Sequence, residues 1–171
     1  MSEAHDWLVS EDESTRAKRA ERLAWLVEAY PGGPHGLLIH GGWLSKQLLE
    51  EVKYCFTYGQ YVATAVLGYA LVERLLAAEL YACGRDELER ATGERLIAAA
   101  REHRMITDPE YDVLNGVRSL RNPLVHYRRP FSAGTIESRW SNEEQHPEDF
   151  LEADARIVIT AAFRLLARHA V

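Results

Sequence analysis

The residues best suited to chemistry lie in one short segment, Ser119 to Arg129, with the sequence Ser-Leu-Arg-Asn-Pro-Leu-Val-His-Tyr-Arg-Arg. A histidine changes its charge near neutral pH, so it serves well as a general acid or base. An arginine keeps its charge and presents a planar fork of donors that suits a phosphate group. Arg121 and His126 therefore make this segment the first candidate for a functional site.

The charge of the segment differs from that of the whole chain. The chain has 171 residues, 20 Lys and Arg against 26 Asp and Glu, and a net charge of -6. An acidic chain does not bind nucleic acid through its bulk charge, so any such contact is expected to be local. Residues 116–140 hold five arginines and one acid, a local balance of +4: Arg118, Arg121, Arg128, Arg129 and Arg139 against Glu137.

The motif lies at the end of a predicted helix. Its apolar stripe at positions 113, 117, 120 and 124 continues through Pro123, which predicts a kinked helix and not an ended one. At about 100° per residue, Asn122 and His126 share a face, while Arg121 lies about 140° from His126. A kink or a second subunit is needed to bring both onto one substrate. The structural alternative is that Arg and His satisfy carbonyls at the helix end.

Apolar residues recur at helical spacing over most of the chain, which predicts an all-α bundle of four to five core helices with an N-terminal extension. We divide the chain into an extension, residues 1–42, and a bundle, residues 43–171. The first predicted helix covers about 13–30, with a capping box at Ser10 and Glu13 before it and the Pro31–Pro34 run after it. Thr107-Asp108-Pro109-Glu110 is expected to open a later helix, and residues 129–145 are expected to form a long loop. The other predicted helices are about 43–58, 60–83, 94–104 and 147 to the end.

The helix predicted over 60–83 is apolar nearly all round and belongs in the middle of the bundle. It carries one carboxylate, Glu73, within its apolar part, and a buried carboxylate needs a partner. Pairing with a motif arginine would make Glu73 part of the site. Pairing with Arg74, or a place at a solvent-facing edge, would make it structural.

Other features predict little further chemistry. Cys55 and Cys83 form no disulfide framework or metal spacing, and the histidines show no paired spacing for zinc, so neither metal nor cofactor is predicted. His40-Gly41-Gly42 lacks a phosphate-loop context and is interpreted as a turn. The N-terminus has no signal-peptide pattern, and the apolar stretch 61–72 is shorter than a bilayer span, so a cytoplasmic protein without membrane contact is expected.

The sequence Arg121-Asn122-Pro123-Leu124-Val125-His126 resembles the Arg-polar-x-x-x-His signature of HEPN domains. The order of elements is also similar: a long apolar helix with one carboxylate precedes the motif, and another helix follows it. The resemblance covers roughly Leu44 to Val171.

This resemblance implies an all-α homodimer in which two motifs face each other across a cleft. Many such domains are metal-independent endoribonucleases, often toxins or effectors in antiviral and toxin–antitoxin systems. His126 would then be the general base or acid, Arg121 would bind the scissile phosphate, and Asn122 would orient His126 or donate to the phosphate. The products would be a 2′,3′-cyclic phosphate and a 5′-hydroxyl.

Further residues are expected to bind the RNA substrate: Tyr127, Arg128, Arg118 and Glu73. In one toxin branch, a tyrosine two positions after the histidine is the target of a nucleotidyltransferase antitoxin. Here that position is Arg128 and the tyrosine is Tyr127, which puts this mode of neutralisation in doubt. The alternative function is a non-catalytic HEPN-like dimerisation or nucleotide/RNA-binding module.

Overall fold

The computed structural model describes residues 2–30, 32, 38–143 and 145–168. Over these ranges the chain is all-helical, as predicted, with seven α-helices, one short 3-10 helix and no strand. The helices are α1 (Glu3–Ala29), α2 (Gly42–Thr57), α3 (Tyr61–Ala82), the 3-10 helix (Asp86–Leu88), α4 (Gly93–Glu102), α5 (Asp108–Val125), α6 (Ile136–Glu143) and α7 (Pro147–Ala167).

Helix α3 is the centre of the fold, because it packs against α2, α4, α5 and α7. Its inward side chains are almost fully buried, among them Leu71, Val72, Leu75, Leu76 and Leu80. The prediction of a core helix is therefore confirmed. Among the described helices, α3 alone has the length and mean hydropathy (1.4) that could cross a membrane, and half of its most apolar window is buried within the bundle.

The remaining helices are arranged around this centre. Helix α1 packs on α2, and Leu26 of α1 belongs to the same apolar core as α3. Helix α5 packs on α4 and α7, with Leu114 and Val117 buried. The division between an extension, 1–42, and a bundle, 43–171, stays a prediction.

The start of α5 follows the predicted capping box. The Thr107 hydroxyl accepts a hydrogen bond from the backbone N–H of Glu110, and the Glu110 carboxylate accepts one from the backbone N–H of Thr107 at 2.7 Å. Arg168, just after α7, forms an ion pair with the same carboxylate. The helix continues through Pro123 to Val125, as the stripe predicted.

Glu110 is expected to make stability sensitive to acid. Partial burial raises the pKa of this carboxyl, but hydrogen bonds from Thr107 and the pair with Arg168 outweigh it and lower the pKa from 4.5 to about 2. A lowered pKa stabilises the fold above pH 4.5, and this contribution is lost as pH falls towards 2. Urea denaturation from pH 7 to pH 2 should therefore show Glu110→Gln less stable than wild type at neutral pH, with a difference that shrinks below pH 4.5.

Glu21→Gln is the control, because Glu21 lies exposed on α1 in no described ion pair. This substitution removes one charge without breaking a described ion pair. The free energy of unfolding of Glu21→Gln should therefore stay close to that of wild type at every pH. If the difference in free energy of unfolding between Glu110→Gln and wild type stayed constant from pH 7 to pH 2, the pKa of Glu110 would not be lowered in the folded protein.

Helix α1 begins earlier than predicted, at Glu3 instead of about Glu13. Ser10 and Glu13 lie inside the helix, so the expected capping box at this point is wrong. The first turns of α1 are exposed and carry no apolar stripe that faces the core, so apolar periodicity does not predict that they are helical. Acidic residues in the first turn favour the helix there, since they complement its dipole.

The prediction of an uninterrupted loop over 129–145 is also wrong, because α6 lies within it. The Thr135 hydroxyl accepts the backbone N–H of Ser138 at 3.3 Å at its start. Arg139 forms an ion pair with Asp154 of α7 and lies 4.3 Å over the Phe150 ring. Contacts to α7 thus hold a helix whose own sequence has no apolar stripe. Val113, the first position of the apolar stripe predicted for α5, is exposed.

Candidate functional site

Arg121 projects from α5 towards the bundle. Its side chain is half-buried, and its guanidinium carbon lies 5.5 Å from the centre of the Tyr69 ring on α3. At this distance the positive charge is attracted to the ring face. The Nε atom of Arg121 is buried and has no hydrogen-bond partner. The arginine is therefore positioned by packing and charge, with one donor unused.

Glu73 lies in the same cluster. Burial raises the pKa of its carboxyl, and the Arg121 charge, the Tyr69 hydroxyl and the backbone N–H of Gly93 oppose this rise. The Tyr69 hydroxyl is near the carboxyl, but their contact falls short of regular hydrogen-bond geometry. Arg74 donates instead to the backbone oxygen of Gly41 at 3.0 Å. The sequence left either a motif arginine or Arg74 as the partner of Glu73. The structure places Arg121 of the motif close enough for its charge to act on Glu73.

Gly93, the first residue of α4, lies against this cluster. A Cβ atom placed on Gly93 would lie 2.1 Å from the Tyr69 hydroxyl and 2.2 Å from Oε1 of Glu73. Only a residue without a side chain allows this approach. Neither Gly93 nor Tyr69 was predicted from the sequence as part of the site. Tyr69 had a detectable signal, since it precedes Glu73 by one helical turn, whereas Gly93 had none.

Gly93→Ala is expected to lower the free energy of unfolding by about 1–3 kcal/mol, since the added methyl group overpacks the cluster. Gly116→Ala is the matched control, because a Cβ atom placed there would point from α5 into open space. It should raise the free energy of unfolding by about 0.5–1 kcal/mol through helix propensity. Urea denaturation measures both. A Gly93→Ala variant as stable as Gly116→Ala would show that α4 does not pack tightly on Tyr69 and Glu73.

Arg118 lies one turn before Arg121 in sequence and faces α4. Its Nη1 atom is 3.1 Å from a carboxylate oxygen of Glu94. Its Nε atom, like that of Arg121, is buried without a hydrogen-bond partner. The charges of Arg118 and Arg121 both act on the Tyr69 hydroxyl, where they oppose the rise in its pKa that burial causes. Each of the two arginines has a buried Nε donor without a partner.

The other end of the motif is exposed. The backbone N–H of His126 donates to the oxygen of Asn122 at 3.1 Å and ends α5. The side chains of His126, Tyr127 and Arg128 all lie in solvent, with Tyr127 89% exposed. Within the described ranges, no hydrogen bond, ion pair or ring contact joins the His126 ring to Arg121. One chain therefore places Arg121 and Glu73 at Tyr69, with Arg118 nearby, and leaves His126, Tyr127 and Arg128 apart from them.

The basic segment is partly neutralised by α7. Arg139 forms an ion pair with Asp154 of α7. Glu152 instead contacts Tyr61, Arg156 and Arg22. The exposed positive charge that remains is that of Arg128 and Arg129.

The described residues contain no group of three or more His, Cys, Asp or Glu side chains that could hold a metal ion. Cys55 is buried, Cys83 is exposed, and both are free thiols. Two histidines of the sequence, His35 and His169, lie outside the described residues.

The geometry thus offers an exposed histidine at a helix end and, separately, an arginine that lies against an aromatic ring and near a carboxylate. Comparison of the chain with protein-family models, with curated proteins and with solved structures finds no match.

Proposed function

We propose that the protein is a metal-independent endoribonuclease of HEPN type that acts as a homodimer. The observation that carries this proposal is the end of α5, where His126, Tyr127, Arg128 and Arg129 are all exposed and none is paired with another described side chain. A general acid or base has to reach its substrate, and unpaired arginines attract phosphates.

In this mechanism His126 takes the proton from the ribose 2′-hydroxyl or gives one to the leaving 5′-oxygen. Arg121 stabilises the negative charge that develops on the scissile phosphate. Asn122 orients His126 or donates to the phosphate. Arg118, Tyr127 and Arg128 bind the flanking RNA, and Glu73 holds Arg121 in position.

A dimer supplies what one chain lacks. Arg121 is half-buried against the Tyr69 ring, and the exposed His126 of the same chain makes no described contact with it. In a two-fold dimer, the same surface of each copy meets, so the motif of one copy can face that of the other. The site then combines Arg121 of one subunit with the partner subunit's His126.

A second candidate function follows from the contacts of Arg121. An arginine packed on a tyrosine ring and beside a half-buried carboxylate also serves as a structural residue. The alternative is therefore a non-catalytic dimerisation or nucleotide/RNA-binding module in which Arg121 stabilises the bundle and the exposed end of α5 binds phosphate without cleaving RNA.

Incubation of the purified chain with mixed RNA in EDTA separates the two functions. The ribonuclease is expected to cleave without metal and to leave 2′,3′-cyclic phosphate and 5′-hydroxyl ends, which mass spectrometry of the fragments identifies. RNA binding without cleavage across diverse RNAs would support the non-catalytic module. Fragments with 5′-phosphate ends would contradict the proposed chemistry.

The cellular role proposed with this activity is that of a toxin or defence effector in the cytoplasm, without membrane contact and without a cofactor. A nucleotidyltransferase-type antitoxin is the proposed regulatory partner. Since the tyrosine is at 127 and not at 128, such a partner would have to modify a position one residue from the usual one.

A further inference from the structure

The segment that joins α5 to α6, residues 127–135, presents two aromatic rings to solvent. Tyr127 is almost fully exposed, and Phe131 is 69% exposed. No ring contact or cation contact within the described part of the chain involves either side chain. Exposed apolar surface that is concentrated on one short segment is typical of a site of interaction, because burial by a partner removes it from water. We call residues 127–135 the aromatic segment.

Phe131 also has a backbone conformation that a large side chain disfavours. Its φ is 65°, in the left-handed region. Among the described residues other than glycine, Arg104 alone shares this feature, and it lies just after the end of α4, where left-handed residues are common. The exposed ring of Phe131 gains no burial in return for this conformation. A ligand that packs on the ring would account for a phenylalanine at this position.

The aromatic segment is folded back against the end of α5. Gly134 and Ile136 line a cavity of about 160 Å³ together with Leu124 of the last turn of α5. The hydroxyl of Thr135, which is buried, donates to the backbone oxygen of Ser132 at 2.8 Å. The segment is therefore fixed at one end by α5 and at the other by the start of α6, and its rings stay close to the motif.

The length of the chain limits how far the rings lie from His126. A fully extended chain advances at most about 3.6 Å per residue, so the Cα atoms of Phe131 and His126 are at most about 18 Å apart. The Cα atoms of Phe131 and Tyr127 are at most about 14 Å apart. Nucleotides in a stacked strand follow one another at about 3.4 Å. A strand of a few nucleotides with one phosphate at His126 can therefore reach both rings.

The charges of the aromatic segment indicate what the rings bind. Arg128 and Arg129 lie between the two rings in sequence, both are exposed, and neither forms an ion pair with a described side chain. Rings alternating with arginines are typical of surfaces for single-stranded nucleic acid, because the rings stack on bases while the arginines contact phosphates. The bases of a duplex are already stacked on one another and offer no free face. The chain as a whole has a net charge of -6, which limits the contact to a short stretch.

We propose that Tyr127 and Phe131 stack on unpaired bases next to the scissile phosphate, so that the protein selects single-stranded over double-stranded RNA. Arg128 and Arg129 bind the phosphates between the stacked bases. This inference rests on the proposed function for the position of the scissile phosphate. The stacking itself can be measured without cleavage.

Fluorescence anisotropy on the full wild-type chain tests the ligand class with three labelled probes of about ten nucleotides. The probes are a 2′-O-methyl single strand, the same strand with its central bases removed, and the duplex of the intact strand with its 2′-O-methyl complement. They have no free 2′-hydroxyl, so the proposed reaction cannot cleave them. The intact single strand should bind at least about fivefold more tightly than either of the others, because only it offers unpaired bases. Equal binding of the intact and base-free strands, or no binding of any probe, would overturn the proposal.

Phe131→Asn tests the location. Asparagine tolerates the left-handed backbone but has no ring, so the fold should be retained. The variant should bind the intact strand at least about fivefold more weakly than wild type does, and the base-free strand equally well. Phe131→Tyr keeps a ring and should bind both strands as wild type does. Undiminished binding of the intact strand by Phe131→Asn would overturn the assignment of the ring.

Trp7→Ala is the matched control, because Trp7 is an equally exposed aromatic residue in the first turns of α1. It should leave the binding of all three probes unchanged. Cleavage of mixed RNA in EDTA is measured separately. A chain that cleaves RNA but binds intact and base-free strands equally would overturn the stacking and leave the ribonuclease. Binding that depends on bases and on Phe131, without cleavage, would support the stacking and overturn the ribonuclease.

Discussion

His126→Ala is expected to reduce metal-independent RNA cleavage by about 10²–10⁴-fold, the usual contribution of a general acid or base. The His126 side chain lies in solvent at the end of α5 and contacts no other described side chain. Its removal should therefore leave the melting temperature unchanged. The rate of fragment formation from a labelled RNA in EDTA measures the effect.

His5→Ala is the matched control for this substitution. His5 is also exposed, but it lies in the first turns of α1, away from the motif in sequence. The His5→Ala variant should cleave RNA at the wild-type rate. If His126→Ala cleaves as fast as His5→Ala, the histidine has no catalytic role and the ribonuclease proposal fails.

Complementation between two inactive variants is the second large effect expected. Arg121→Lys keeps a positive charge beside Glu73 but loses the guanidinium fork that binds phosphate, so it should be nearly inactive. A mixed dimer of Arg121→Lys and His126→Ala subunits holds one intact pair, Arg121 of one chain with the partner subunit's His126. Purified mixed dimers should show about half of the wild-type activity, since each keeps one working site of two.

Co-expression of the two variants with different tags, followed by purification through both tags, isolates the mixed dimers for this measurement. Two copies of the same variant, tagged and purified identically, provide the baseline. Mixed dimers no more active than this baseline would mean that Arg121 and His126 act from one chain. A chain that remains monomeric at the assay concentration would contradict the shared site directly.

Most of the helices were predictable because their signals are local. The Thr107–Glu110 capping box and the apolar stripe of α5 depend on residues within a few positions of one another. The same is true of α3, whose apolar composition alone indicates a central helix. Such features arise from backbone hydrogen bonding and periodic burial, which the order of residues specifies directly.

The candidate site was predictable only in part. Spacing identified Arg121 and His126 and showed that a straight helix would separate them. It did not show that Arg121 would lie on Tyr69, or that Gly93 would leave room for Glu73, because these contacts join three helices.

The sequence by itself determined the all-α composition of this protein, the central place of α3 and the basic motif at the end of α5. Only the tertiary structure decided the partners of the charged residues. Glu73 faces Arg121 and not Arg74, Arg139 is held by Asp154, and Arg74 meets the N-terminus of α2. The physical reason is distance. Helical periodicity depends on residues a few positions apart along the chain, whereas the partner of a charged side chain depends on which other helix packs within a few ångströms of it.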